Sequence, residues 1–302
     1  MQVIVVIAVN KLDVWFCRIC VASIRYYYPD VEIYLIKDEL NGRFSTKEIE
    51  KKWNVGLITF EKQKFGWSAA KMFLYTDSRF YGKYMFVLDA DIVMIGELLD
   101  YLMVNLDEGD VFISVEREVN PYADWVENVY FNVEKIQENN SDYSYPGYFF
   151  NAGQLLVKGG FITRQDVQEN FDFNNYPFWK NLSLLPSVDQ SLFNYLFPIM
   201  EKQGRLRINS TCKYMLWSRS EEVEQINIKK IDSVMPCLIH WAGDLRSPFL
   251  SRMKGSEILF FFENYYYSKI KCGSLICFFR RYEFALFSLK KRIALKLNSY
   301  LR

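Results

Sequence analysis

The chain opens on an unbroken apolar run, Val3–Val9, rich in β-branched residues. Such a strand is buried on both faces, so it belongs inside a sheet covered by helices on each side. The same signal returns along the first 115 residues, alternating with helical periodicity. A helix is predicted from about Asp13 to Tyr27, closed by Pro29, then a strand over Val31–Ile36. A helix over Thr46–Trp53, a strand over Leu57–Phe60 and an amphipathic helix over Ser68–Arg79, capped by Ser68, come next. Tyr84–Leu88, Asp110–Val115 and Gln154–Val157 read as further strands. The alternation predicts an α/β fold with a mostly parallel, doubly wound sheet.

The buried strand Tyr84–Leu88 runs straight into Asp89-Ala90-Asp91. Open α/β sheets bind ligands at the carboxyl ends of their strands. Two carboxylates there, on a chain that turns, can face one hard cation, which typically also takes substrate phosphate oxygens. His240 is the only histidine; it closes a predicted strand over Pro236–Ile239 and precedes Trp241-Ala242-Gly243. It could complete a set of two carboxylates and one imidazole, which suits Mn²⁺ better than Ca²⁺. Asn151-Ala152-Gly153 gives close backbone access ahead of a strand. Asp189-Gln190 stands near the start of a predicted helix, Ser187–Leu196.

In order and spacing, these segments resemble retaining glycosyltransferases of the GT-A fold. The type is glycosyltransferase 8, that of bacterial lipopolysaccharide galactosyl- and glucosyltransferases. The resemblance is carried by Phe86-Val87-Leu88-Asp89-Ala90-Asp91, Phe149-Phe150-Asn151-Ala152-Gly153, Asp189-Gln190-Ser191-Leu192 and Ile239-His240-Trp241-Ala242-Gly243 with Arg246 and Pro248. It covers about residues 1–250. It implies that Asp89, Asp91 and His240 hold Mn²⁺ or Mg²⁺ on the diphosphate of a UDP-sugar. It implies that Ala8, Val9 and Asn10 contact uridine, and that Lys71 reaches the donor. Ala90, Asn151 and Ala152 would line the donor pocket, and Asp189 would bind sugar hydroxyls. Gln190 would lie beneath the anomeric carbon, with Gly243 and Arg246 on the diphosphate. The implied reaction moves a hexose, with retention, to a saccharide or lipid-linked acceptor in surface-glycan assembly. Front-face attack and a covalent intermediate both remain open. Two positions depart from the family pattern: Ser191 stands where a second acid is usual, and Arg246-Ser247-Pro248-Phe249 replaces a Lys-Pro-Trp segment.

Rival readings fit less of the chain. A haloacid-dehalogenase-like phosphatase wants its acid pair after the first strand, and a sugar-nucleotide pyrophosphorylase wants a Gly-rich basic loop where Ala8-Val9-Asn10-Lys11 stands. A non-catalytic partner that keeps the fold would have no use for the intact acid pair and His240.

The organisation expected is a catalytic domain over 1–267, with its nucleotide half to about 115 and its donor-sugar and acceptor half beyond, and a basic tail over 268–302. Residues 116–148 are read as a long excursion over the active face, and Pro248–Tyr267 as helical. The tail has apolar residues at 275, 278, 282, 286, 289, 293, 297 and 300, one helical face. It carries nine basic side chains against Glu283, a charge of +8, which leaves −7 on the rest of this +1 chain. An acidic body excludes the footprint of a nucleic-acid enzyme. The tail predicts a helix lying on an anionic membrane surface, and packing on the acidic body is its alternative. Six cysteines without zinc-finger spacing read as reduced thiols. No run of 18 apolar residues and no signal-like start is present, so the expected location is cytoplasmic, peripheral on the inner membrane face.

Overall fold

The computed structural model describes residues 3–62, 64–66, 68–104, 106, 109–116, 118–243 and 250–300. The first strands and helices follow the alternating pattern: β1 (Val3–Asn10), α1 (Val14–Tyr27), β2 (Ile33–Asp38), α2 (Lys47–Trp53), β3 (Val55–Ile58) and α3 (Ala69–Tyr75). Then come β4 (Tyr84–Asp89), β5 (Ile92–Ile95), α4 (Leu98–Met103), β6 (Val111–Phe112) and β7 (Val115–Glu116). The middle of the chain holds α5 (Asp124–Val129), α6 (Val133–Asn139), β8 (Phe149–Phe150), β9 (Gln154–Lys158), α7 (Arg164–Val167) and α8 (Val188–Lys202). The last elements are β10 (Ile208–Asn209), β11 (Met215–Trp217), α9 (Glu221–Glu224), β12 (Cys237–His240), α10 (Ser256–Ser268) and α11 (Gly273–Tyr300).

The main sheet has the order β10-β6-β9-β4-β1-β2-β3. β4, β1, β2 and β3 run parallel, and β9 is antiparallel to both β4 and β6. β1 explains its own sequence. Val5, Ile7 and Val9 enter one core beneath α1 and α10, while Ile4 and Val6 enter the other with α3 and α8. Alternate side chains thus serve opposite faces, and both faces are dry. Arg25 of α1 ties the sheet's far edge, donating to the carbonyls of Val31 (2.5 Å), Trp53 and Asn54 (both 2.9 Å).

Several boundaries differ from the sequence expectation. The helix expected over Ser68–Arg79 stops at Tyr75, because Asp77 accepts from the Arg79 backbone N–H at 3.0 Å and starts a separate turn, Ser78–Phe80. Ser68 makes no capping bond, and its hydroxyl is buried without a partner. The segment expected as one strand over Asp110–Val115 is split between β6 of the main sheet and β7, which pairs with β8. The 116–148 excursion is not bare loop, since β7 begins it and α5 and α6 lie within it. The last segment expected as helix, Pro248–Tyr267, begins outside the described residues and is helical from Ser256.

A second sheet, β11-β12-β5, stands beside the first. Its pairing of β12 antiparallel to β5 sets His240 opposite Ile92, one residue from Asp91. That register, which no local sequence signal reports, assembles the site.

Candidate active site

Asp89 ends β4, and the backbone turns through Ala90 and Asp91 before β5. The Asp89 N–H donates to Gly153 O at 2.7 Å, which holds the β4 end against the Asn151-Ala152-Gly153 segment. Trp241 N–H donates to Asp91 O at 3.0 Å and holds the β12 end on the other side. Asp89, Asp91 and His240 thereby offer ligand atoms that all lie within 4.8 Å of one another.

Asn151 fixes the imidazole. Its Oδ1 accepts from Gly153 N–H at 2.8 Å and lies 3.1 Å from His240 Nδ1. With that oxygen accepting, the network assigns the proton to Nδ1 and leaves the Nε2 lone pair facing Asp91 Oδ1, 3.2 Å away. The Trp217 ring stacks on the imidazole at 5.6 Å and 14°. A divalent cation fits this donor set of two carboxylates and one oriented imidazole nitrogen. Space for it depends on Gly153. A Cβ there would stand 2.6 Å from His240 Cε1, 2.7 Å from Asn151 Oδ1 and 2.7 Å from Asp89 Oδ2.

Lys71, which the resemblance put in reach of the donor, lies behind the site at 2% exposure. Its Nζ is 2.6 Å from Asp189 Oδ2, 3.1 Å from Asp89 Oδ1 and 3.2 Å from Ala152 O. Asp189 is itself 3% exposed, so it meets this ammonium rather than open cleft. Burial works against the charged lysine, but the Asp189 and Asp89 carboxylates outweigh it and raise its pKa. Asp89 is pushed up to about 6 by burial, with the Lys71 charge opposing and the Asp91 charge adding.

Gln190 Oε1 accepts from Ala152 N–H at 2.7 Å and lies 3.4 Å from Asn151 Nδ2. The amide oxygen is therefore committed to the wall. Ala8, Val9, Asn10, Ala90, Asp91, His240 and Gly243 line one cavity of about 180 Å³, with Asp89 at its metal end. Asn10 is held by its own turn, donating to Asp13 Oδ2 at 2.7 Å and accepting from Leu12 N–H at 2.7 Å. Gly243 turns the chain at φ +70°. Arg246 lies outside the described residues.

The sequence reading missed Asp38 and Glu116. Asp38 ends β2 beside Asn10 and lines the same cavity. One oxygen accepts from Leu40 and Phe65 N–H groups, both at 3.0 Å, and the other is buried with no partner. An acid at a parallel strand's carboxyl end was a readable signal. Glu116 lies within electrostatic reach of Tyr130, Trp217 and His240; burial pushes its carboxyl up, and Tyr130 and Trp217 oppose this. Nothing local marked it, because its neighbours come from segments up to 124 residues away.

No family model and no curated protein matches the chain by sequence. Solved structures do. The apo structure of the bifunctional glycosyltransferase WbbM is similar at TM-score 0.56 and 14% identity, over 86% of this chain and 49% of that one. The galactosyltransferase LgtC, solved with donor and acceptor sugar analogues, is similar at 0.53 and 14% identity, over 88% of this chain and 96% of that one. The apo form of the glycosyltransferase GlyE of Streptococcus pneumoniae is similar at 0.51 and 14%, over 91% and 62%. The chain thus spans about half the length of WbbM and nearly all of LgtC. Its fold is the GT-A glycosyltransferase fold, and a cluster of two carboxylates and an imidazole that could hold a divalent cation stands at the carboxyl edge of the main sheet.

Proposed function

We propose that the chain is a divalent-metal-dependent, retaining glycosyltransferase that moves a hexose from a UDP-sugar to a saccharide acceptor in lipopolysaccharide or other surface-glycan assembly. The observation that carries this is the Asp89–Asp91–His240 cluster at one end of a cavity whose other end is lined by Ala8–Asn10 and Asp38. A diphosphate reaches between the two, with the nucleoside at the β1–β2 end. A bound Mn²⁺ or Mg²⁺ would neutralise the charge that grows on the departing diphosphate. The protein's share is positional. Asn151 orients His240, and Lys71 keeps Asp89 from facing Asp91 as an unscreened pair of like charges. Gln190, whose amide oxygen accepts from Ala152 N–H, holds the Asn151–Ala152 wall of the donor pocket in place.

Hydrolysis of UDP-glucose, UDP-galactose and GDP-mannose, with Mn²⁺ and with excess EDTA, tests the reading. The expected result is metal-dependent release of UDP that falls at least 100-fold in Asp91→Asn and His240→Ala. Undiminished turnover in EDTA, or preference for the GDP-sugar, overturns it.

The same reading puts the enzyme on an anionic membrane surface through α11. No helix among the described residues is long and apolar enough to cross a membrane. Leu275, Phe278, Tyr282, Leu286, Leu289 and Ile293 are each at least half exposed along the helix. The base of the helix is pinned: Arg280 meets Glu48, and Arg281 meets Glu263. Both expectations for the tail thus find support, body packing at its start and a bare apolar face beyond. Each basic residue that reaches an anionic leaflet contributes about 1 kcal/mol before salt screening.

A further inference from the structure

We propose that the exposed aromatic surface formed by Tyr122 and Trp125 is the subsite on which the saccharide acceptor stacks, with Glu116 gripping a hydroxyl near its reacting end. The proposal rests on the glycosyltransferase reading above and deepens it.

The rings form a ladder from solvent to the catalytic wall. Trp125 is 49% exposed and Tyr122 64%. The Trp125 ring lies 6.5 Å from Tyr130, Tyr130 stacks on Phe149 at 4.2 Å, and Phe149 meets Tyr145 at 5.0 Å. Tyr130 and Phe149 are buried. The outer rung, Trp125, is therefore seated on a packed floor and stays half bare, and Tyr122, three residues earlier in the chain, adds a second exposed ring.

The ladder is stitched to the helix that carries Gln190. Asn128 O accepts from Ser187 Oγ at 2.8 Å, and Tyr130 O accepts from Ser191 Oγ. Burial raises the Tyr130 phenol's pKa, Glu116 raises it further and Gln190 opposes this, so both side chains lie within electrostatic reach of it. Ser191, which replaces the second acid of the family pattern, thus has an observed use: it fastens the aromatic segment to α8.

Two polar atoms here lack protein partners. Glu116 Oε1 and the Tyr145 hydroxyl are both buried without a hydrogen bond. Buried polar atoms in this state call for a ligand or water to meet them. A pyranose supplies what this surface lacks. Its C–H face carries slightly positive hydrogens that suit the negative face of an aromatic ring, and its hydroxyls suit a carboxylate. The groove beside α5 is lined by Tyr122, Asp124, Glu127 and Glu134. Lys135 pairs with Glu127 at 2.8 Å, and Asp124 and Glu134 keep the rim acidic, which disfavours phosphate-bearing ligands and suits a neutral polyol. An apolar peptide would use the rings and leave Glu116 unmet.

The test uses the full-length protein on an array of immobilised bacterial and mammalian oligosaccharides, in UDP and Mn²⁺, with nucleotide-sugar hydrolysis by the wild type measured in parallel. Wild type should bind a subset of glycans. Trp125→Ala and Tyr122→Ala should each weaken that binding tenfold or more, whereas Tyr176→Ala, which removes a ring 62% exposed on another loop, should keep it. Equal binding by Trp125→Ala, or equal loss in Tyr176→Ala, overturns the proposal. So does selection of unglycosylated peptides spotted on the same array. Hydrolysis without glycan binding overturns the subsite alone, and absence of both overturns the glycosyltransferase reading and the subsite with it.

Discussion

Lys71 is the residue on which two carboxylates depend. An ammonium at 2% exposure between Asp89 and Asp189 is tolerable only because both acids face it. Lys71→Met should leave the buried Asp189 and the partly buried Asp89 uncompensated and cost about 3–5 kcal/mol, read by chemical denaturation. The double variant with Asp189→Asn should recover part of that loss, since Asp89 alone then lacks a partner. Gly153 sets a second residue-scale limit. A methyl there meets three site atoms at 2.6–2.7 Å, two of them in the metal-ligand side chains. Gly153→Ala should lower Mn²⁺ affinity at least tenfold by calorimetry, as disturbed ligand orientation commonly does, with the melting temperature changed far less.

At the scale of elements, the root of α11 is the joint to examine. Burial raises the Glu48 carboxyl, but Arg280, Tyr266 and Arg18 together bring it below its ordinary value of 4.5. The sign follows. Stability from this joint is fully present above that value and is lost as pH falls through the lower folded-state value. Hydrogen exchange over 273–282 should therefore rise as the solution is acidified below about 4.5, and Glu48→Gln should show the raised exchange already at pH 7. Exchange unchanged by Glu48→Gln would mean that α10 packing alone holds the helix. The link matters for the proposed membrane contact: Arg280 and Arg281 are engaged by Glu48 and Glu263, so the basic residues beyond them would have to supply the charge for it.

For the whole molecule, the −7 body and +8 tail act as one object. The rigid root of α11 ties the orientation of its apolar face to that of the catalytic sheet. A chain truncated after Ser274 should lose sedimentation with anionic vesicles and keep nucleotide-sugar hydrolysis. Raising salt should weaken vesicle binding of the intact chain without abolishing it, because the apolar face is unscreened. Binding that survives truncation would locate membrane contact on the body.

The buried run Val3–Val9, the alternation of strands and helices, and the strand end at Asp89-Ala90-Asp91 were legible in the sequence because each is a local pattern with a fixed period. Elements that depend on partners were less legible. β5 is readable only as an apolar run until β12 pairs with it, and the helix over Ser68–Arg79 looks continuous until Asp77 turns back on Arg79. The same division holds in the site. The sequence alone named Asp89, Asp91 and His240, since acids and a lone histidine at strand ends are chemically conspicuous. Tertiary structure decided that Lys71 is a counter-ion sealed behind the cavity, that Asn151 orients the imidazole, and that Asp38 and Glu116 each keep an oxygen unpaired. Those outcomes come from distances between segments far apart in the chain, and charge placement and solvent exclusion are properties of the packed molecule.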